Sequence, residues 1–167
     1  MKKLAVISTL TAMLCLQGCA GLMRTAPVPG DPLATVLAKY GQPGAVYPDG
    51  AGQVLEYATG PMGQTTWMAR MGPDGRLVSF EQVLTGEQFG TLKIGKSRKA
   101  DVLRTVGRPA ETSYLSLSDL EVWSYRYKES GVWNSMMHVH FDRQGVVRML
   151  QNGPDPMYEE RRFPLGF

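Results

Sequence analysis

Apolar residues recur at helical spacing in two short segments of this 167-residue chain. In the later segment, Val102, Leu103 and Val106 fall on one helical stripe. Ser97 stands where a helix N-cap is expected, and Gly107 can end the helix because glycine tolerates a positive φ. The pattern therefore predicts a short capped helix that begins after Ser97 and ends at Gly107.

The same pattern occurs earlier in the chain. Asp31 and Pro32 predict an N-cap and the first residue of a helix that ends at Tyr40. Four pairs of turn and aromatic residues then recur: Gly41 and Gly107, Pro43 and Pro109, Tyr57 and Tyr125, Gly75 and Gly145. The offset is 66 residues for the first two pairs and grows to 68 and 70, since loops tolerate insertions. We infer an internal duplication.

Alternating apolar and polar positions follow each helix and predict antiparallel strands. The predicted strands are 53–59, 65–71 and 76–84, then 111–117, 121–128, a strand through Met137, Val139 and Phe141, and 146–151. A turn is predicted over 47–50, and a short helical turn over 85–89, where Thr85 and Gln88 have capping spacing. The chain is thus predicted to be α+β, a tandem repeat of two small modules with short helices packed on an antiparallel sheet.

The predicted modules span 31–84 and 85–152, and a C-terminal tail over 153–167 is expected to be disordered. One module of about 60–70 residues has a marginal core. We therefore expect the two modules to support each other.

The N-terminus has the pattern of a bacterial lipoprotein signal. A basic start precedes an apolar run that is too short to span a bilayer, and the run ends in Leu16-Gln17-Gly18-Cys19, which resembles a lipobox. This predicts a signal peptide over 1–18, acylation of Cys19 and a tether over 19–30. The alternative is an ordinary signal peptide with an incidental cysteine. Ala20, rather than Asp, implies sorting to the outer membrane, facing the periplasm.

Composition and charge exclude several classes of function. The chain is 43% hydrophobic and 20% charged, which suits small globular domains, and its net charge is +3. Lys2 and Lys3 belong to the predicted signal, and no basic cluster suggests nucleic-acid binding. Cys15 and Cys19 are the only cysteines, so disulfides and thiolate zinc sites are excluded from the predicted modules.

The segment 90–97 matches the phosphate-binding pattern G-x-x-x-x-G-K-[ST] letter for letter. We reject nucleotide binding, because Leu92 and Ile94 are bulky core-type residues and Gly95 and Ser97 already serve as turn and cap. Neither a serine triad nor a carboxylate pair in an apolar setting stands out. The prediction is a non-enzymatic protein without a cofactor.

His138 and His140 share one face of a predicted strand, with Met136 beside them. This spacing can chelate a metal, but two imidazoles without an acidic third ligand make a weak site. The favoured interpretation is a polar, solvated sheet face opposite Met137, Val139 and Phe141. These histidines are therefore weak metal candidates, and the prediction is that no metal is bound.

Five sequence runs carry a family resemblance: I-G-K-S (94–97), V-L (102–103), V-G-R-P (106–109), V-W-S-Y-R-Y (122–127) and F-D-R-Q-G-V-V (141–147). They resemble the SmpA/OmlA (BamE-like) family of small outer-membrane lipoproteins. The resemblance implies a lipid-anchored accessory of the machinery that assembles outer-membrane β-barrels. Two modules in tandem also resemble the β-lactamase-inhibitory protein, which implies an alternative function as an inhibitor that caps an enzyme. That protein uses disulfides, which the modules here cannot form.

Trp133, on a predicted hairpin tip, is the leading candidate for contact with an envelope protein partner. Tryptophan is costly to expose and is enriched at binding hot spots. Met62 stands on the corresponding tip of the first module. The alternative is that Trp133 folds back onto its own sheet.

Overall fold

The computed structural model describes residues 25–60 and 62–159, so the signal peptide and Cys19 lie outside the described residues. In chain order, the described elements are α1 (Leu33–Tyr40), β1 (Ala45–Asp49), β2 (Gly52–Ala58), β3 (Thr66–Met71), β4 (Leu77–Gln82), α2 (Gly86–Thr91), α3 (Lys99–Val106), β5 (Glu111–Leu115), β6 (Leu120–Glu129), β7 (Trp133–Phe141) and β8 (Val147–Pro154). None of the helices in these ranges is long and apolar enough to cross a membrane.

The strands form two separate antiparallel sheets, each a four-stranded meander in chain order. One sheet is β1-β2-β3-β4 and the other is β5-β6-β7-β8. Together with the short helices, they confirm an α+β fold built from two modules.

Strand β1 replaces a predicted turn. Tyr47 and Pro48 lie in β1, and Pro48 pairs with Gln53. Because β1 is an edge strand, a proline without an N–H is tolerated there. The chain instead reverses between Asp49 and Gly52, which face each other across a tight hairpin.

The duplication recurs in the backbone. An isolated antiparallel bridge joins Pro32 to Arg76 in the first module, and an equivalent bridge joins Arg98 to Val146 in the second. Each sheet also has an irregularity at the corresponding point of its third strand, before residue 71 and before residue 141. In both copies, therefore, the segment entering the helix is tied to the start of the fourth strand.

The two repeated tyrosines make the same contact. The hydroxyl of Tyr57 donates to the carbonyl of Gly41 at 3.2 Å, and that of Tyr125 donates to Gly107 at 3.0 Å. Both glycines have positive φ, 90° and 85°, with extended ψ, a conformation close to glycine-specific. The predicted helix stops are thus also the anchor points of the repeated tyrosines.

Each module has its own buried cluster containing residues from a helix and from the strands. The first contains Val36, Leu55, Tyr57, Ala69, Met71 and Leu77. The second contains Leu84, Phe89, Leu92, Val102, Val106, Trp123, Tyr125, Tyr127, Met137, Val139, Phe141 and Val147. The second cluster includes two residues of the predicted helical stripe and all three apolar positions predicted to share a face of β7.

Two of the three predicted caps are wrong. Helix α1 begins after Pro32, and the Asp31 carboxylate instead accepts from the Val28 backbone and pairs with Lys39 at 2.7 Å. Helix α3 begins after Arg98, whose backbone N–H donates to Asp101 at 2.8 Å, so Ser97 lies one residue too early to cap it.

The third cap is confirmed. The Thr85 hydroxyl accepts from the backbone of Gln88 at 3.2 Å, and it caps the short helix α2.

The second module packs on the face of the first sheet opposite to Leu55 and Ala69. On this face the carboxylate of Glu56, which is fully buried, accepts from the hydroxyl of Tyr47. It also accepts from the backbone N–H of Arg108 at 3.1 Å and from its Nε at 2.9 Å. Gly107 permits this approach, because a Cβ there would lie 3.0 Å from a Glu56 oxygen. We call Glu56, Tyr47 and Arg108 the inter-module cluster.

The chain remains ordered beyond the predicted end of the second module. Strand β8 runs to Pro154, and Asp155 is buried with its carboxylate on Arg126. The prediction of disorder from residue 153 is therefore wrong at these positions, because a buried arginine holds the chain there. Residues 160–167 lie outside the described part.

Candidate functional site

The hairpin between β6 and β7 exposes its apolar residues. Glu129 faces Trp133 directly, which leaves Ser130, Gly131 and Val132 as the loop. Ser130 and Gly131 both have positive φ, 50° and 72°. Trp133 is 69% exposed, so the alternative that it folds back onto its own sheet is wrong.

The hairpin between β2 and β3 is held by two threonines at its base. The backbone N–H of Thr59 and its hydroxyl both donate to the carbonyl of Thr65, at 3.1 and 2.8 Å. A Cβ at Gly63 would lie 1.9 Å from the Thr59 hydroxyl oxygen, so only glycine fits there. Met62, beside it, is 61% exposed. Met62 is therefore exposed to solvent, on a loop whose base is closed by the hydrogen bonds between Thr59 and Thr65.

A side-chain hydrogen bond brings the two tips to the same end of the molecule. The Gln64 amide donates to the Asn134 amide oxygen at 3.0 Å. Gln64 lies two residues after Met62, and Asn134 directly follows Trp133. The structure thus places at one end of the molecule the two hairpins that carry the residues predicted as partner contacts.

A third segment, which the sequence analysis missed, joins this end. The backbone N–H of Asp155 donates to the carbonyl of Asn134 at 3.0 Å, and that of Tyr158 donates back to Asp155 at 3.0 Å. The turn presents Met157 and Tyr158, both partly exposed. A sequence signal existed: Arg126 interrupts an apolar strand and requires a buried acidic partner. We call Met62, Val132, Trp133, Met157 and Tyr158 the tip surface.

Charges near the tip surface are paired. Arg126 contacts the carboxylates of both Asp155 and Glu111. Burial opposes the charged form of Arg126, but these two carboxylates outweigh it and raise its pKa. Glu129, opposite Trp133, accepts from the Ser135 hydroxyl at 2.8 Å, and this bond, followed by one from Asn152, lowers its pKa. The tip surface is therefore apolar, and the charged side chains near it are held in ion pairs and hydrogen bonds. Such a surface suits binding rather than proton transfer.

Two cavities adjoin the inter-module cluster. One, of about 260 Å³, lies between the modules, and its charged lining residues are Glu56, Arg108 and Arg126. The other, of about 520 Å³, is lined by aromatic residues of the first module and by Arg108. These charged side chains are already engaged in ion pairs, so neither cavity offers a poised acid, base or nucleophile among its described lining residues.

The segment matching the phosphate-binding pattern uses its own backbone donors. The N–H groups of Lys96 and Ser97 both donate to the carbonyl of Lys93, and that of Lys93 donates to the Ser97 hydroxyl at 2.9 Å. Gly95 donates to Val147. A phosphate cradle needs these donors free, so the geometry supports the rejection of nucleotide binding. One premise of that rejection is wrong, since Ile94 is exposed rather than a core residue.

His138 and His140 lie where the sequence placed them, on the face of β7 opposite to the core. His138 Nδ1 lies 2.8 Å from the Ser124 hydroxyl. His140 is only 4% exposed, so the expectation of a solvated face is wrong at this position. Burial, and secondarily the charge of His138, lowers the pKa of His140.

No family model matches the chain, and no curated protein matches it. Among solved structures, it is similar to the crystal structure of a DUF4309 family protein, YjgB, from Bacillus subtilis subsp. subtilis str. 168. The two chains are 14% identical over 73% of this chain and 77% of that one, with a TM-score of 0.33. A likeness at this level carries no argument about fold or function.

Proposed function

We propose that this protein is an outer-membrane lipoprotein of the SmpA/OmlA type, anchored through Cys19 and facing the periplasm. In this proposal, each module is a set of short helices packed on its sheet, and the protein has no catalytic activity. It acts as a scaffold or accessory that binds an envelope protein, possible partners being components of the outer-membrane assembly machinery. The predicted lipobox supports the anchorage, and the five sequence runs that resemble the family support the role.

The observation that carries the binding role is the tip surface. Trp133 and Met62 come from different modules, are 69% and 61% exposed, and are held at one end by the bond between Gln64 and Asn134. An exposed tryptophan surrounded by other apolar side chains is the usual composition of an interface hot spot. A duplicated module gains a function in this way, because neither copy alone presents the whole surface.

A photo-crosslinking amino acid placed at Trp133 or Met62 in living cells tests this proposal. The matched control is Leu117, which is fully exposed but lies beyond the opposite end of β6. Ten residues of strand separate the two ends, about 30 Å at the usual rise. We expect one envelope protein to be captured from both tip positions and not from Leu117. Equal capture from all three positions would contradict the proposed surface.

The energetic test is Trp133→Ala in a binding assay with the captured protein. Loss of a hot-spot tryptophan should cost about 2 kcal/mol or more, roughly thirtyfold in affinity, with little loss of stability because the side chain is mostly exposed. Leu117→Ala should leave affinity unchanged. A lower melting temperature with unchanged affinity would show that Trp133 is structural. If the captured protein is an enzyme whose activity falls in proportion to added lipoprotein, the inhibitor alternative is correct.

A further inference from the structure

The outer face of the second sheet, opposite to its core, brings two imidazoles and one thioether together. Met136, His138 and His140 occupy alternate positions of β7 and share this face. Strand register places Met149 of β8 directly across from His140. Facing side chains in a sheet have Cβ atoms about 4.5–5.5 Å apart, and alternate residues along a strand are about 6.5–7 Å apart. His138, His140 and Met149 can therefore converge on one ion. Met136 cannot join them, because it lies two such steps from His140, about 13–14 Å along the strand.

The fold does not explain why an imidazole, that of His140, is buried on this face. It is 4% exposed, and neither of its ring nitrogens has a hydrogen-bond partner in the described structure. A buried polar group without a partner is costly, and native proteins rarely retain one without a role. An imidazole nitrogen without a hydrogen bond can offer its lone pair to a metal ion.

His138 is already oriented for coordination. Its Nδ1 is engaged by the Ser124 hydroxyl at 2.8 Å, which leaves Nε2 as the available donor. Metal-binding histidines commonly have the other ring nitrogen held in this way. Ser124 therefore fixes the ring so that Nε2 can point along the face that it shares with His140.

The donor set selects the kind of ion. Within residues 25–60 and 62–159, no group of three or more His, Cys, Asp or Glu side chains could hold a metal. Glu111 lies on the same face, but Arg126 already holds its carboxylate. Among the described residues, the two histidines therefore have neither the free carboxylates that hard cations prefer nor the closed nitrogen or sulfur shell of a structural zinc site. Thioether sulfur selects Cu(I), and imidazole also suits copper. We propose that His138, His140 and Met149 form a binding site for a soft monovalent cation, Cu(I) or its analogue Ag(I).

The site shares no residue with the tip surface, so this inference goes beyond the proposed function and can fail independently of it. Ag(I) is the probe, because it does not change oxidation state. The full chain would first be alkylated, so that Cys15 and Cys19 cannot take the ion, and then titrated in chloride-free buffer while the methionine methyl signals are followed by NMR. We expect saturation at one ion per chain, with a shift at Met149 and none at Met62.

Ligand variants decide whether these residues bind the ion. Met149→Leu and His138→Gln should each weaken binding at least about tenfold, since even outer-shell changes cost that much. Met62→Leu is the matched control and should leave affinity unchanged. If both ligand variants bind Ag(I) as tightly as the wild type, or if the shifting methyls lie elsewhere, the inference is overturned.

His140→Leu adds a readout that does not depend on the ion. Without metal, removal of an unpartnered buried imidazole should leave the urea midpoint unchanged or raise it, and Ag(I) should no longer stabilise the fold. If this variant is clearly less stable than the wild type in metal-free buffer, the imidazole has a structural partner, and the argument for a vacant ligand is wrong.

Discussion

Replacement of Arg108 by alanine tests whether the inter-module cluster couples the two modules. In the wild type, the buried Glu56 carboxylate accepts from the Tyr47 hydroxyl and from the backbone N–H and Nε of Arg108. Arg108→Ala keeps the hydroxyl and the backbone donor and removes only the guanidinium. The variant therefore leaves a buried carboxylate with two neutral donors and without the cation that now pairs with it.

The expected cost follows from the burial of the two partners. Removal of one member of a buried ion pair costs about 3–5 kcal/mol, and a hydrogen bond to a charged group contributes about 1.5–3 kcal/mol. Glu56 is fully buried, but the Arg108 side chain is half exposed, so water can enter the space that it leaves. We therefore expect a loss of about 2–3 kcal/mol in the free energy of unfolding, measured by urea denaturation at pH 7.

The matched control is Arg143→Ala, which removes a mostly exposed arginine from its ion pair with Asp119. Exposed pairs contribute about 0–1 kcal/mol, so this variant should remain within about 0.5 kcal/mol of the wild type. A second check is Glu56→Leu combined with Arg108→Met, which should cost less than the sum of the two single changes because no charge stays buried. If Arg108→Ala is as stable as Arg143→Ala, the inter-module cluster does not couple the modules.

Three further predictions concern the anchor, the loop before α3 and the acid limit of stability. Intact-mass measurement of the membrane fraction should show lipid on a chain that starts at Cys19, whereas a soluble product cleaved elsewhere would contradict the anchor. Ser97→Ala should cost about 0.5–1.5 kcal/mol in urea, because the Lys93 N–H loses its acceptor, and an unchanged midpoint would show that this bond is dispensable. The backbone N–H of Val146, followed by Arg148, holds the pKa of Asp142 below its usual 3.8. Its ionised form therefore stabilises the fold above that value, and this stabilisation is lost as the pH falls through the lower folded pKa. Asp142→Asn should lose less stability than the wild type between about pH 5 and 3, and parallel curves would refute the assignment.

The repeated order of helices and strands could be predicted from the sequence, because local residue preferences determine where these elements begin and end. Gly41 and Gly107 were identifiable as helix stops, and the strand predicted over 121–128 contains the core residues Trp123, Tyr125 and Tyr127. Strand β1 was missed because Pro48 followed by Asp49 and Gly50 is typical of a turn. The local turn preference was overridden by pairing with β2, which only the assembled sheet supplies.

Only part of the candidate site could be predicted, because the rest depends on contacts between residues that are distant in sequence. Exposure of Trp133 and Met62 follows from their places in hairpins, which are local features. Their convergence depends on Gln64 and Asn134, two residues 70 apart in sequence, and no local pattern encodes that contact. The burial of His140 was also not predictable, because strand alternation assigns a residue to a face without showing how neighbouring strands cover it.

The duplication also explains why the two modules have different surfaces. In the first sheet, Glu56 pairs across strands with Met68, and the outer face that they share contacts the second module. The repeat places Ser124 and His138 at the corresponding positions of the second sheet, where they also pair across strands.

This correspondence extends to the next residue pair on the same face. Arg70, just before the irregularity of β3, donates to the carbonyl of Arg104 in the second module at 3.0 Å. His140 holds the equivalent place before the irregularity of β7, and its ring nitrogens have no partner among the described residues. In the first module, this face contacts the second module. In the second module, the equivalent face has no third copy to contact in the part of the chain that the structure describes. Ser124 and His140 stand in place of Glu56 and Arg70, and His138 stands in place of Met68, so this face of the second module carries the two unpartnered ring nitrogens of His140 instead of a carboxylate and a guanidinium.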